Sequence, residues 1–348
     1  MEKLQIQKFG ITKDGSKPYL YKMKNDAGME VQVSDFGATL VNVTVLDQDK
    51  NPVEVVLGYE DAAGYENGTA AIGAIVGRNA NRIGGACVTI NGIDYKLAEN
   101  DWKNNLHSGP DVYQKRMWRV VENGDDHVTF LLHSPDGDQG YPGALDMKVT
   151  YTLDEENGLT IHYEAVPDQD TVINMTNHSY FNLNGHKSGS VLHHRMQLLS
   201  DAFTPADAQS IPTGEVCSVD GTPMDFRSTK ELGAEIDAAY EPLILGNGYD
   251  HNWVLKNEGR FDKVAEVTGD ESGIVMEVWT DRPGVQVYTA NFLENEAGRN
   301  GAVYQKRDAV CLETQNYPDA VHQKNFPEAI CKKGETYDTK TAYRFHIE

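Results

Sequence analysis

Apolar and polar residues alternate with a period of two along much of this chain, the signature of strands with one face on a core and one outward. Met29-Glu30-Val31-Gln32-Val33 shows it, and Leu40-Val41-Asn42-Val43-Thr44-Val45 follows after Phe36-Gly37-Ala38. Asn51-Pro52 then breaks the run before Val53-Glu54-Val55-Val56-Leu57-Gly58-Tyr59. Three hairpins are predicted. Asn91-Gly92, between Val88-Thr89-Ile90 and Ile93-Asp94-Tyr95, is the strongest short-range hairpin signal there is. Met147 to Leu153 and Leu159 to Ala165 alternate on either side of Glu156-Asn157-Gly158. Ile274 to Trp279 and Val285 to Thr289 flank the turn residues Asp281-Arg282-Pro283-Gly284. Ala309 to Gln315 reads as a strand that puts Cys311, Glu313 and Gln315 on one face, and Ala342 to Ile347 as a last strand. One short helix is expected, because Ser228-Thr229-Lys230-Glu231 has the capping-box form ahead of Leu232, Ile236 and Tyr240. Many short strands, few helix signals, no βαβ rhythm and no repeat predict an all-β protein. The expected form is a large antiparallel β-sandwich or barrel with few short helices, folded as a single domain over residues 1–348.

Charge narrows the partners. The 348 residues carry 53 acidic against 31 basic side chains, a net charge of −22. So acidic a surface repels phosphate backbones and anionic lipid, which argues against nucleic acid and membrane surfaces as partners. Cys87, Cys217, Cys311 and Cys331 are scattered without a CxxC spacing, which suits reduced thiols. The opening Met-Glu-Lys-Leu-Gln-Ile has no apolar signal core, and no apolar run has the length of a membrane span. A cytoplasmic location is expected.

Polar clusters interrupt the strands. In Thr176-Asn177-His178-Ser179-Tyr180-Phe181-Asn182-Leu183, amides, hydroxyls, an imidazole and aromatic rings crowd together. This mixture is wasteful in a core but suits a small polyhydroxylated ligand, whose hydroxyls need partners and whose C–H faces need rings. Gly77-Arg78-Asn79-Ala80-Asn81-Arg82-Ile83 lacks the order of a phosphate-binding loop; Arg82 reads equally well as a structural ion-pair partner. Leu106-His107-Ser108-Gly109-Pro110, Asp250-His251-Asn252 and Leu312-Glu313-Thr314-Gln315 complete the set. The candidates Arg78, His107, His178, Asp250 and Glu313 have none of the close spacings usual in zinc sites. No G-x-S-x-G elbow supports a serine hydrolase, while Asp250 and Glu313 leave two-carboxylate glycoside hydrolysis open.

These five motifs, in this order, resemble the aldose 1-epimerase (galactose mutarotase) family over essentially the whole chain. The Thr176 to Leu183 string is highly specific. Ser108-Gly109 departs from the Gly-Gly that often follows the first histidine in that family. The resemblance implies a galactose mutarotase-like supersandwich with an open cleft. It also implies interconversion of the α and β anomers of free hexoses such as galactose or glucose, without cofactor or metal. By similarity Glu313 is the base, His178 the acid, and His107 a catalytic partner at the ring oxygen. Arg78, Asn79, Asp250 and Gln286 would bind the sugar, and Arg78 or His107 would keep Glu313 ionised. The expected partner is a monosaccharide substrate, acted on by a monomer or homodimer. Two rivals remain: a hexose-phosphate epimerase, which needs a second basic cluster by the cleft, and a carbohydrate-binding domain on the same fold.

Overall fold

The computed structural model describes residues 1–348. Its largest element is a nine-stranded antiparallel sheet. In spatial order the strands are Arg119–Asn123, His127–Ser134, Leu145–Leu153, Gly158–Pro167, Tyr337–Ile347, Ile274–Thr280, Asp262–Thr268, Arg195–Leu198 and Lys230–Glu231. Two five-stranded sheets face it. One is the N-terminal meander Gln5–Lys8, Tyr19–Lys24, Glu30–Ser34, Thr39–Leu46 and Pro52–Glu54. The other orders Cys217–Ser218, Ala202–Thr204, Asp250–Val254, Gly284–Tyr288 and Cys311–Gln315. The predicted all-β sandwich is what forms, and only Ala62–Asn67 and Glu241–Leu245 are α-helical.

Alternation explains the layering. Val31, Val33 and Val43 of the meander, Val285, Val287 and Leu312 of the second five-stranded sheet, and Phe130, Val149, Tyr151 and Tyr343 of the large sheet share one continuous apolar core. Tyr151 donates its hydroxyl to the Ala38 carbonyl (2.7 Å), and Tyr343 donates to that of Leu312 (3.3 Å). The rings therefore fill the core while their polar tips tie the layers. Because Leu312 and Thr314 point into this core, the period of two turns Cys311, Glu313 and Gln315 to the opposite face.

Two hairpins form as predicted. Asn91 and Gly92 take φ values of 53° and 79° between Ile90 and its partner Ile93, the left-handed pair that a two-residue turn requires. Leu145–Leu153 pairs with Gly158–Pro167. The third hairpin does not form. Ile274–Thr280 pairs with Tyr337–Ile347 and Asp262–Thr268, whereas Gly284–Tyr288 pairs with Asp250–Val254 and Cys311–Gln315. The segment from Asp281 to Pro283 is a crossing from one sheet to the other. The capping-box helix is also absent: Lys230–Glu231 is an edge strand. The Leu232 and Gly233 amides go to the His194 and Leu192 carbonyls, so that backbone is committed to a neighbour rather than to a helical turn. Leu232 and Ile236 are buried all the same.

Candidate active site

Three neighbouring strands supply the floor of the site. Their register sets Asn252 opposite Gln286, and Gln286 opposite Glu313, in one transverse row. Asp250 and Tyr288 lie two residues along on the same face and accept the same outlook. Across this floor stands Thr176–His178, paired with Ala74–Val76. A cavity of about 320 Å³ opens beside them, and its walls include Arg82, His107, His178, Asp250, Tyr288 and Glu313. That size suits one small ligand.

Most of the aromatic-polar string that signals this site in the sequence is scaffolding. Thr176 donates to the Thr314 carbonyl, Asn177 to that of Gly73, Ser179 to Asn177 Oδ1, and Asn182 to the Gly189 and Asp308 carbonyls. These bonds satisfy the buried polar groups of the stretch and leave His178 and Tyr180 to face the cavity. The two rings stack at 5.0 Å with 24° between planes.

His178 Nε2 lies 3.5 Å from Glu313 Oε1, and both residues are buried. Glu313 Oε2 and His178 Nδ1 have no partner in the protein. Burial pushes the Glu313 carboxyl well above the usual carboxylate range; the Asp250 charge adds to this and the Arg82 guanidinium opposes it. Burial likewise holds His178 down at about 4. Both shifts favour the uncharged forms, a protonated Glu313 beside a neutral His178. Asp250 accepts a hydrogen bond from Gln286 Nε2 at 2.7 Å, and burial raises its carboxyl, against Arg82 and Gln286.

His107 sits on the loop after Asn105–Leu106. Its Nδ1 accepts the Asn81 N–H at 3.2 Å, so its own proton rests on Nε2. Burial first, then His178 and Arg82, keep it well below the ordinary imidazole value. Nitrogens of both histidines and an oxygen of Glu313 fall within 4.8 Å of one another, a spacing three metal ligands could share. A metal ligand offers its lone pair and donates through its other nitrogen, but at His107 that other nitrogen is an acceptor. The Nε2–H that this leaves on His107 is a hydrogen-bond donor and not a metal ligand.

The structure separates the expected sugar-binding residues. Arg78 does not reach the cavity. It is fully buried, Nη1 donating to the Pro142 and Gly143 carbonyls (2.9 and 2.8 Å) and Nη2 to Ser134 Oγ (2.5 Å). Asn79 turns its amide to the Ala80 carbonyl (2.9 Å) and is likewise off the cavity wall. Gln286 reaches the site through Asp250. The cation beside Glu313 is Arg82, held from behind by Asp101 (2.7 Å). The sequence offered Arg82 as an ion-pair partner, which it is, but gave no sign that it also lines the cavity. Phe292 was missed as well; it stacks on Tyr288 at 6.3 Å on the cavity wall and is 66 % exposed.

Comparison with known proteins gives a concordant picture. The family model for aldose 1-epimerase matches residues 19–344. Galactose mutarotase of Bos taurus is 42 % identical over 330 residues, covering 94 % of each chain. Aldose 1-epimerase of Escherichia coli (strain K12) is 36 % identical, covering 97 % of this chain and 98 % of its own. The crystal structure of galactose 1-epimerase from Lactobacillus acidophilus superposes with a TM-score of 0.86 at 27 % identity, over 100 % of this chain and 99 % of that one.

Proposed function

Because the chain belongs to the aldose 1-epimerase family, we propose that it interconverts the α and β anomers of a free hexose such as galactose or glucose, with Glu313 as base and His178 as acid. The observation that carries the assignment is the 3.5 Å approach of Glu313 Oε1 to His178 Nε2 on the wall of a cavity of about 320 Å³. In the working state the proton sits on His178 and Glu313 is ionised. Glu313 takes the proton of the C1 hydroxyl while His178 gives its own to the ring oxygen; the C1–O5 bond breaks and an aldehyde forms. Rotation about C1–C2 exposes the other face. The O5 hydroxyl then attacks C1, its proton returns to His178, and Glu313 protonates the carbonyl oxygen. Each group ends as it began, so no other reactant is consumed.

Arg82 stabilises the ionised form of Glu313, the less favoured one in a buried site. His107 Nε2–H donates to the ring oxygen or a neighbouring hydroxyl, and Asp250, steadied by Gln286, accepts from a sugar hydroxyl. Tyr180, Tyr288 and Phe292 supply apolar faces. No second basic cluster attends the cavity, where Asp250, Glu294, Glu296 and Glu313 stand against Arg82 alone, so a phosphorylated hexose is disfavoured. Freshly dissolved α-galactose followed in a polarimeter tests the reading: rotation should reach equilibrium faster with enzyme. A rate unchanged at saturating sugar would make the protein a binder instead.

A further inference from the structure

His107 and Ser108 stand side by side in the left-handed region, at φ values of 52° and 67°, followed by Gly109 at 103°. Two adjacent non-glycine residues hold such a conformation only where their surroundings impose it. The imposing partner is the segment 79–83. Asn105 and Leu106 pair with Ile83 and Arg82 as a short ladder, and the His107 amide continues it to the Asn81 carbonyl (3.1 Å). Beyond that point the two main chains part, and the Ser108 hydroxyl takes over. It accepts the Asn79 N–H at 2.7 Å and donates to the Asn79 carbonyl at 3.2 Å, and the side chain has no solvent exposure. Between these two ties lies the one from the Asn81 N–H to His107 Nδ1 (3.2 Å).

We infer that Ser108 is a positioning residue whose hydroxyl clasps the loop to Asn79 and so fixes His107 as a neutral Nε2–H donor toward the sugar. The inference rests on His107 facing the sugar, as proposed above. The clasp keeps the imidazole seated on the Asn81 amide, where a proton on Nδ1 would set two donors against each other. The Cβ and hydroxyl at position 108, where glycine would satisfy the backbone alone, make the donor role of His107 a property of the loop and not of the ring.

The test compares Ser108→Gly, which keeps the backbone freedom and loses the hydroxyl, with Ser108→Ala. Long-range proton–nitrogen NMR of His107 in wild type should show the Nε2–H tautomer alone from pH 5 to 8. Both variants should show a mixture of tautomers and a His107 that titrates nearer the ordinary imidazole value. Polarimetry should find kcat lowered about tenfold in both, the scale of losing a group that orients a functional histidine, with KM little changed. Ser108→Gly keeping the pure Nε2–H tautomer and wild-type kcat would overturn the inference, as would a wild-type His107 protonated on Nδ1. The tautomer is read without sugar, so it stands apart from whether galactose is turned over.

Discussion

Arg78 and Arg82 stand four positions apart in one motif, and burial divides their work. Arg78→Ala would strip the side-chain donor from two buried carbonyls, with a loss of about 3 kcal/mol or more; denaturant unfolding should register it while the folded fraction keeps its KM. Arg82→Ala should do the reverse, lowering kcat/KM through the Glu313 ionisation it supports, with a modest change in stability. Glu313→Gln and His178→Asn should each lower kcat by two or more orders of magnitude, the scale of one general acid–base group; near-normal turnover in either would remove its role. The pair needs one proton to work. Activity should therefore fall on the acid side as His178 takes up a second proton, near its depressed value of about 4. It should fall on the alkaline side as the last proton leaves, well above the carboxylate range. A pH profile of kcat/KM with its acid limb near 6.5, the ordinary imidazole value, would contradict the burial argument.

Strands, as elements, were readable where local signals determine them, and obscure where tertiary pairing does. Asn91-Gly92 and Glu156-Asn157-Gly158 announce hairpins because the turn chemistry is local. Asp281 to Gly284 looks the same in sequence, yet its two strands enter different sheets, since period-two patterning says which face is buried but not against which neighbour. Leu232 and Ile236 have helical spacing and are buried, but hydrogen bonds from Leu232 and Gly233 to the 192–194 segment override it. Site residues were legible where they sit on regular strands: alternation alone turns Glu313 away from the core. Arg82 was obscure, because nothing in its motif tells which arginine faces out. His194 shows how such cross-chain ties carry a pH signature. Its Nε2 accepts the Leu183 N–H (2.9 Å) and its Nδ1 meets Asp270 (3.0 Å), anchoring the end of the 176–183 string. Burial, partly offset by Asp270, lowers its pKa to about 4. An unfolded histidine, near 6.5, protonates first, so the contribution of neutral His194 is complete above that value and is lost as pH falls toward 4. Relative to His194→Gln, wild type should lose about 2–3 kcal/mol of unfolding free energy between pH 7 and 4.5. Parallel pH dependences for the two proteins would show that His194 is not held neutral.

At the scale of the whole molecule, a net charge of −22 surrounds a cleft that is itself acidic. A neutral hexose feels little of this field, so its capture should be insensitive to ionic strength. An anionic sugar is repelled twice: at long range by the surface, and at contact by Glu294 and Glu296 on the cavity wall. Only the long-range part is screened, over roughly 10 Å at 0.1 M salt, whereas carboxylates at contact are not. Galactose 6-phosphate should consequently have a kcat/KM far below that of galactose at low salt and recover only a fraction of the gap at high salt. Glu294→Gln with Glu296→Gln should recover more, because it removes the part that salt cannot reach, while the galactose rate changes little. Equal kcat/KM for the two sugars in wild type at low salt would mean that the cleft holds phosphate through a cation other than Arg82. The neutral-sugar reading would then give way to its phosphorylated rival.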